Sequence, residues 1–307
     1  MMRHLSRCEI AMSLDQPLDL LHQYALTRPQ AALYAETHHR VYLVACAEGE
    51  FILRVQSMTT RPRLEREVRH LTLLAAGSVP VARVIPTREG ASIATAGAVI
   101  ALLMTRLHGE RKTLAALDTA LATRLGGLLA QLHHHTFSEN TITEAEALFS
   151  ATGFYPLEAL RQSLTTQQRA ALDRVWDTLA PTLATTGHTL LHGDYVLHNV
   201  LVTDEALALV DLEYSRVGDA RYDLASFLWQ ARVRSDWPAL QAAFITGYQE
   251  AGGAPYDELE PWIAARQLAS LHWVAHNRTL MPNSDAVIAQ RLQELSAFVV
   301  DGHLRRQ

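Results

Sequence analysis

Residues 190–213 read LLHGDYVLHNVLVTDEALALVDLE and contain two short apolar runs separated by polar residues. The first run, residues 200–202, and the second, residues 206–210, flank a polar turn, and this pattern predicts a β-hairpin. Because the two ends of a hairpin lie side by side, we expect Asn199, before the first strand, to lie near Asp211, after the second.

The polar groups of this hairpin have the chemistry of phosphoryl transfer. Mg²⁺ takes hard oxygen ligands and few of them from the protein, and the Asp211 carboxylate and the Asn199 amide supply such oxygens. A further carboxylate, Asp194, lies in the polar loop before Asn199, where it could orient or deprotonate a hydroxyl. Kinases combine a loop aspartate, an asparagine on the metal and a later aspartate. The stretch therefore predicts a kinase-type site with Asp194 as its catalytic residue.

The signature extends beyond the hairpin. Its spaced elements are His192-Gly193-Asp194, Asn199, Asp211-Leu212-Glu213, Gly218-Asp219 and Tyr222-Asp223-Leu224-Ala225. This set resembles the aminoglycoside phosphotransferase and choline kinase superfamily, whose members are small-molecule kinases with the protein-kinase-like fold. In the first element, Gly193 stands where most protein kinases have an arginine. The resemblance implies a two-lobed α+β fold. A small antiparallel-sheet lobe over residues 1–105 would bind nucleotide, and a larger, mainly helical lobe over residues 106–307 would serve catalysis and acceptor binding.

The resemblance also implies a role for each matching residue. Asp194 is the catalytic aspartate, and Asn199 and Asp211 hold Mg²⁺. His192 and Asp223 support the loop structurally, the first by hydrogen bonds and the second as an anchor beneath it. The donor is ATP or GTP. The expected partners are that nucleotide and a small-molecule acceptor, with neither nucleic acid nor membrane.

The N-terminal part of the chain supplies a phosphate-binding pair. The pattern predicts strands at residues 41–47 and 51–55, and a helix at residues 63–76 with an apolar stripe. Arg54 lies near the end of the second strand, where the family usually has a lysine that holds the α- and β-phosphates. Arginine keeps the charge and also binds phosphate well. Glu67 falls inside the stripe, and because a buried carboxylate needs a cationic partner, we expect it to pair with Arg54.

Two further regions complete the expected site. Residues 104–109 resemble the family's linker between lobes, so backbone at Met104 is expected to hydrogen-bond adenine. The acceptor is expected to contact Glu213, Tyr222 and Trp229, in a region whose aromatic and acidic residues suit a cationic acceptor. For any one of these aromatic residues, a place in the core is the favoured interpretation. Amino sugars of the aminoglycoside type, choline-like amines, amino acids and sugars all remain open.

The composition fits this class of protein. The chain has 307 residues, 49% of them hydrophobic and 19% charged, which is enough for one large core or two moderate ones. A net charge of −5 without any Lys/Arg-rich run disfavours nucleic acid as a partner. No apolar run reaches the roughly 18 residues of a membrane span. The two cysteines and the lack of an apolar leader predict a reduced, cytoplasmic protein.

Two other functions are compatible with the same residues. A pseudokinase-like binding or regulatory module would keep the fold without the chemistry. Arg54 and the absence of a G-x-G-x-x-G loop favour it, whereas the intact aspartates and asparagine of the hairpin oppose it. A metal-dependent hydrolase would use zinc or iron ligands from His192, Asp194, His198 and Asp211. That alternative leaves the hairpin asparagine and the N-terminal half unexplained.

A run of three histidines, residues 133–135, closes a predicted helix over residues 118–135. Consecutive residues of a helix face different directions, so adjacent histidines do not converge on one metal ion. We expect them instead to interact favourably with the negative end of the helix dipole.

Overall fold

The computed structural model describes residues 17–36, 39–134, 148–149, 153–184 and 187–305. The last residue of the histidine run, His135, lies outside these ranges. The chain divides into two compact units. The N-terminal unit comprises residues 1–76 and 81–107, and the C-terminal unit comprises residues 77–80 and 108–307.

The N-terminal unit is built on an antiparallel sheet. Its strands are β1 (Gln30–Glu36), β2 (Arg40–Cys46), β3 (Gly49–Ser57), β4 (Ala94–Ala96) and β5 (Val99–Thr105). They lie in the order β1-β2-β3-β5-β4. Two helices accompany the sheet, α1 (Pro17–Leu21) and α2 (Arg61–Ala76). β2 and β3 are antiparallel neighbours with Val41 opposite Arg54, which confirms the two strands predicted for this region.

Apolar side chains of the central strands form the core of this unit. Val44, Leu53 and Leu103 are fully buried, and Leu20 of α1 belongs to the same cluster. Each strand contributes alternate residues to this face because side chains of a strand alternate between its two sides. β3 is held at both edges, by β2 and by β5, and this fixes the position of Arg54 on β3.

The helix α2 buries the stripe that its sequence predicts. Leu64, Val68, Leu71 and Leu74 are all buried, and Glu67 lies among them with 3% of its surface exposed. Residues three and four apart share one face of a helix, so an acidic residue at position 67 cannot avoid the apolar face. A carboxylate in that position requires a charged or hydrogen-bonding neighbour.

The C-terminal unit is mainly helical over its described ranges. Its helices are α3 (Thr119–His133), α4 (Leu157–Gln162), α5 (Thr166–Leu183), α6 (Arg221–Ala231), α7 (Trp237–Glu250), α8 (Glu260–His276) and α9 (Ser284–Asp301). Its short strands are β6 (Glu110–Arg111), β7 (Thr189–Leu191), β8 (Val200–Val202), β9 (Leu207–Leu209) and β10 (Arg216–Gly218). Among the described helices, none is both long and apolar enough to cross a membrane.

The hairpin predicted from residues 190–213 is present. β8 and β9 are antiparallel with Val200 opposite Leu209, and β6 extends the pair to a three-stranded sheet, while β10 pairs with β7. An antiparallel sheet in the N-terminal unit and a mainly helical C-terminal unit confirm the predicted α+β, kinase-like class.

The helices α3 and α7 approach each other closely because both carry glycine at the contact. A Cβ atom on Gly126 would overlap the backbone carbonyl of Phe244, and a Cβ atom on Gly247 would overlap that of Thr123. Only glycine lets two backbones come this near. The contact positions α3, which ends at His133 beside the candidate site.

Replacing Gly126 with alanine is expected to destabilise the protein by about 1–3 kcal/mol, the usual cost of overpacking. Gly127→Ala is a matched control on the same helix, because its new Cβ would lie 3.7 Å from the nearest neighbouring atom. Removing a helical glycine stabilises by about 0.5–1 kcal/mol when space permits. Chemical denaturation of the two variants should show shifts of opposite sign, and equal shifts would contradict this packing.

Candidate active site

The loop that carries Asp194 is tied to α6 through a buried carboxylate. Asp223, in the first turn of α6, accepts hydrogen bonds from the backbone N–H groups of His192 at 2.6 Å and Gly193 at 2.9 Å. The ring Nε2 of His133 lies 3.3 Å from the same carboxylate. Burial raises the pKa of Asp223, but the hydrogen bonds from His133 and the backbone outweigh it and hold the pKa below its ordinary value. Asp223 is therefore ionised and anchors the loop.

The ring of His192 also holds the loop. Its Nε2 lies 3.0 Å from the backbone oxygen of Val210, and its Nδ1 accepts the backbone N–H of Asp194 at 3.4 Å. Both ring nitrogens thus contact backbone. Gly193 has a φ of 81°, and a Cβ there would overlap the carbonyl of Tyr214. The left-handed backbone and the nearby carbonyl of Tyr214 therefore require glycine at position 193.

Both oxygens of the Asp194 carboxylate have a partner. Nη2 of Arg266 donates to Oδ1 at 2.5 Å, and Nδ2 of Asn199 donates to Oδ2 at 3.0 Å. The same Asn199 nitrogen donates to the backbone oxygen of Asp194 at 3.0 Å. Because the amide nitrogen of Asn199 faces the loop, its oxygen is the atom offered to a cation. The structure thus brings the expected catalytic residue and one expected metal ligand into direct contact.

Asp211 has the features of a cation ligand. The backbone N–H of Val210 donates to the oxygen of Asn199 at 3.0 Å, so Asp211 follows directly on the residue bonded to Asn199. Its φ of 65° and ψ of 57° are left-handed, which is uncommon for a residue other than glycine and is often found at functional sites. Its Oδ1 atom is buried and makes no hydrogen bond.

A buried carboxylate oxygen without a donor is costly, and a cation at this position would satisfy it. The carboxylate of Asp211 and the amide oxygen of Asn199 are hard donors of the kind that Mg²⁺ takes. The residues present therefore fit the metal that the sequence predicts.

The histidines required by the hydrolase alternative have other contacts. Nε2 of His198 lies 2.6 Å from Nη1 of Arg111, and both nitrogens of His192 contact backbone. Burial, followed by the charge of Arg111, lowers the pKa of His198. Across the ranges that the structure describes, no group of three or more His, Cys, Asp or Glu side chains is placed to hold a metal ion.

Arginine side chains of the protein lie over the two aromatic rings that are expected to contact the acceptor. Tyr222 is fully buried, with the guanidinium of Arg216 centred 4.7 Å from its ring. The guanidinium of Arg266 lies 4.8 Å from the ring of Trp229. An arginine of the protein thus lies against each of these two rings, and their contact with an acceptor remains a prediction. Glu213, on the short helix after Asp211, is half-buried.

In the N-terminal unit, the predicted ion pair between Arg54 and Glu67 is present. Nη2 of Arg54 contacts Oε2 of Glu67, and the two side chains are 6% and 3% exposed. This buried ion pair thus connects β3 to the apolar face of α2. The pair confirms the expected partner of Glu67, while the contact of Arg54 with phosphate remains a prediction.

The backbone of Met104 is part of the sheet. Met104 lies in β5 opposite Ile52 of β3, and a bridge to Val84 covers its other edge. On that second edge, the N–H of Thr105 donates to the oxygen of Arg83 at 2.9 Å. Met104 is thus flanked by β3 on one side and by the bridge residue Val84 on the other. A contact of adenine with backbone in residues 104–109 remains a prediction.

Replacing Glu67 with glutamine is expected to destabilise the protein by about 3–5 kcal/mol, the usual effect of breaking a buried ion pair from one side. The change removes the carboxylate that neutralises Arg54. Glu65→Gln is the matched control, because Glu65 is on the same helix, is 46% exposed and pairs with Arg61 in solvent. Such exposed pairs contribute about 0–1 kcal/mol. Thermal unfolding should separate the two variants clearly; similar losses would show that burial of the pair is unimportant.

Comparison with known proteins defines the class. A model of the phosphotransferase enzyme family matches residues 32–262. Since this range is more than half of the chain, the protein belongs to the phosphotransferase enzyme family, as the loop and hairpin predict. The protein is therefore an enzyme of the phosphotransferase class. The search of curated proteins found no match.

Solved structures share the fold. An amicoumacin kinase in complex with AMP-PNP, Ca²⁺ and Ami aligns with a TM-score of 0.77 at 16% identity, covering 95% of this chain and 96% of that one. A microcompartment-associated aminopropanol kinase aligns with a TM-score of 0.76 at 22% identity, covering 94% and 98%. A spectinomycin phosphotransferase in complex with ADP and spectinomycin aligns with a TM-score of 0.66 at 15% identity, covering 92% and 97%. At these identities the likeness establishes the fold.

Two residues of the site were not identified from the sequence. His133 lies in the last turn of α3, as predicted; its side chain is 3% exposed and bridges Asp223 and the hydroxyl of Tyr248, 2.9 Å away. The sequence did not indicate these two contacts, and the interaction of His133 with the helix dipole remains a prediction. Arg266 lies in the middle of α8 among apolar residues, and a charge in such a run was the signal that could have indicated a buried partner.

Proposed function

We propose that the protein is a Mg²⁺-dependent kinase that transfers the γ-phosphate of ATP or GTP to a hydroxyl group of a small molecule. The observation that carries the proposal is the contact of Asp194 with Asn199 beside Asp211, whose buried oxygen makes no hydrogen bond. One carboxylate for the acceptor hydroxyl and a carboxylate–amide pair for the metal are the parts that phosphoryl transfer needs.

In this proposal, Asp194 orients the acceptor hydroxyl. The hydroxyl oxygen forms a bond to the γ-phosphorus while the bond from that phosphorus to the bridging oxygen breaks, and the nucleoside diphosphate leaves. Asp194 accepts the hydroxyl proton. Because the transition state of phosphoryl transfer is loose, the protein contributes mainly by positioning and by charge neutralisation.

The other residues bind the nucleotide. Asn199 and Asp211 would hold Mg²⁺, which supplies neutralising charge at the phosphates when bound. Arg54, fixed by Glu67, would bind phosphate oxygens with its planar guanidinium. Backbone in residues 104–109 would contact adenine or guanine. His192 and Asp223 hold the loop and act only through its shape.

The acceptor belongs to the small polar molecules that carry a hydroxyl. The similar structures include kinases named for aminopropanol and amicoumacin and a phosphotransferase named for spectinomycin. Their variety supports an acceptor among amino alcohols, amino sugars, hydroxy amino acids and sugars. Glu213 is partly exposed and lies two residues after the metal-site aspartate Asp211. In this proposal it contacts a polar or amino group of the acceptor.

The experiment that tests the proposal is transfer of γ-labelled phosphate from ATP and from GTP, with Mg²⁺, to a panel of those acceptor classes. We expect one class to be labelled with one donor preferred, and no label in samples without Mg²⁺. Transfer that is independent of Mg²⁺ would contradict the proposed metal site.

A thermal-shift measurement distinguishes the enzyme from a regulatory binding module. Nucleotide should raise the melting temperature more with Mg²⁺ than without it, because a ligand stabilises the state that it binds. Nucleotide binding without transfer to any acceptor would favour the binding module.

A further inference from the structure

Arg266 lies outside the sequence signature but hydrogen-bonds directly to Asp194. It lies in the middle of α8, is 9% exposed, and donates from Nη2 to Oδ1 of Asp194 at 2.5 Å. Asn199 occupies the opposite oxygen at 3.0 Å. The carboxylate is thus clamped between an amide on its own loop and a guanidinium from a distant helix.

Three helices hold the guanidinium of Arg266 in place. Its plane lies over the ring of Trp229 on α6, with 4.8 Å between the guanidinium carbon and the ring centre. The indole N–H of Trp229 donates to Oε1 of Gln267 on α8 at 2.5 Å. Gln267 in turn donates to the buried Glu294 of α9. The indole is therefore a fixed support for Arg266.

The arrangement is poorly explained as a stabilising ion pair. Nε of Arg266 is buried and makes no hydrogen bond, so the guanidinium is incompletely satisfied. A buried ion pair contributes net stability only when its geometry and remaining hydrogen bonds are nearly complete. Burial lowers the pKa of Arg266 and is the largest single effect, but Asp194 together with Tyr222, Tyr155 and Tyr214 outweighs it, so the pKa is raised. Arg266 therefore stays charged beside the carboxylate.

Fixed orientation is what a catalytic carboxylate requires. The acceptor hydroxyl must donate its proton to Asp194 while its oxygen lies in line with the γ-phosphorus and the leaving oxygen. An error of about 1 Å in such a position can reduce the rate about 100-fold. The hydrogen bond from Asn199 restrains the carboxylate at one oxygen only. A second donor on the other oxygen further restrains rotation about the Cβ–Cγ bond.

We propose that Arg266 is a positioning residue that acts through Asp194, holding the carboxylate in the orientation that accepts the hydroxyl proton. The inference rests on the proposed kinase function. It assigns Trp229 as the support of Arg266 rather than as a contact of the acceptor.

The test compares Arg266→Met and Arg266→Lys with a matched control, Arg232→Met. Arg232 also pairs with a carboxylate on α8, Glu260, and lies 4.9 Å from the ring of Trp237, but it does not contact Asp194. We expect Arg266→Met to lower kcat by about 100-fold with nucleotide affinity and acceptor KM little changed. Arg266→Lys should recover part of the rate, because a single ammonium donor replaces a planar fork. Arg232→Met should lose stability and keep its kcat.

A double-mutant cycle separates positioning from general support of the fold. If Arg266 acts through Asp194, Arg266→Met should reduce the residual rate of Asp194→Asn no further. An added loss of the same size as in the wild-type background would overturn the inference. A wild-type kcat in Arg266→Met, at a temperature where the variant is folded, would overturn it as well.

Failure of the kinase proposal is a separate outcome. If the wild-type enzyme labels no acceptor, the proposed function fails, and the contact is tested by thermal unfolding of the same variants. Coupled losses of stability in the Asp194→Asn and Arg266→Met cycle are expected from a direct contact, whereas strictly additive losses would show that Arg266 does not hold Asp194.

Discussion

Replacing Asp194 with asparagine is expected to reduce turnover by about 10²–10⁴-fold, the range attributed to a positioned acid–base group. The substitution keeps the size of the side chain but removes the charge and the capacity to accept a proton. Nucleotide affinity should change little, since Asn199 and Asp211 carry the proposed metal contacts. The melting temperature should fall, because Arg266 loses its carboxylate partner.

The measurement is kcat with the identified acceptor, beside calorimetric binding of Mg²⁺ and nucleotide. Asp204→Asn is a suitable control, because Asp204 lies in the exposed turn of the same hairpin and undergoes the same chemical change. Its kcat should match that of the unmodified protein. Comparable turnover in Asp194→Asn would remove Asp194 from the catalytic role.

Replacing Asp211 with asparagine is expected to abolish the Mg²⁺-dependent part of nucleotide binding. The buried Oδ1 atom that now makes no hydrogen bond would belong to a neutral amide, and a single amide is a weaker ligand for Mg²⁺ than a carboxylate. Asparagine tolerates left-handed backbone, so the φ of 65° at this position is preserved. The variant therefore tests charge without disturbing the turn.

Titration of nucleotide with and without Mg²⁺ measures the effect of Asp211→Asn. In the unmodified protein, Mg²⁺ should tighten binding, and in the variant the two titrations should coincide. Asp204→Asn again serves as the control and should keep the Mg²⁺ dependence. A variant that retains the full effect of Mg²⁺ would place the metal elsewhere.

The parts of the site predicted from sequence are those specified by local pattern. Alternating apolar residues around a polar turn define the hairpin, which places Asn199 beside the residues that lead to Asp211. Helical spacing puts Glu67 on a buried face, and the strand register supplies Arg54 as its partner. In each case a short-range period determines which way the side chain faces.

The parts that were missed depend on contacts between distant segments. Arg266 and Asp194 are 72 positions apart, and His133 and Asp223 are 90 apart. No local periodicity indicates which carboxylate a basic residue on a helix will contact. The edge of Met104 is covered by a bridge to Val84 that lies outside the regular strands, and no local pattern predicts that bridge. The arginines that lie against Tyr222 and Trp229 also come from distant segments of the chain, so the sequence pattern did not indicate them.

The most direct measurement of the central claim is transfer of γ-labelled phosphate from the Mg²⁺–nucleotide complex to the preferred acceptor, by the unmodified protein and by Asp194→Asn at saturating nucleotide. The account predicts labelled acceptor from the unmodified protein and a rate lower by about 10²–10⁴-fold from the variant. Equal rates from the two proteins, with nucleotide bound equally by both, would contradict it.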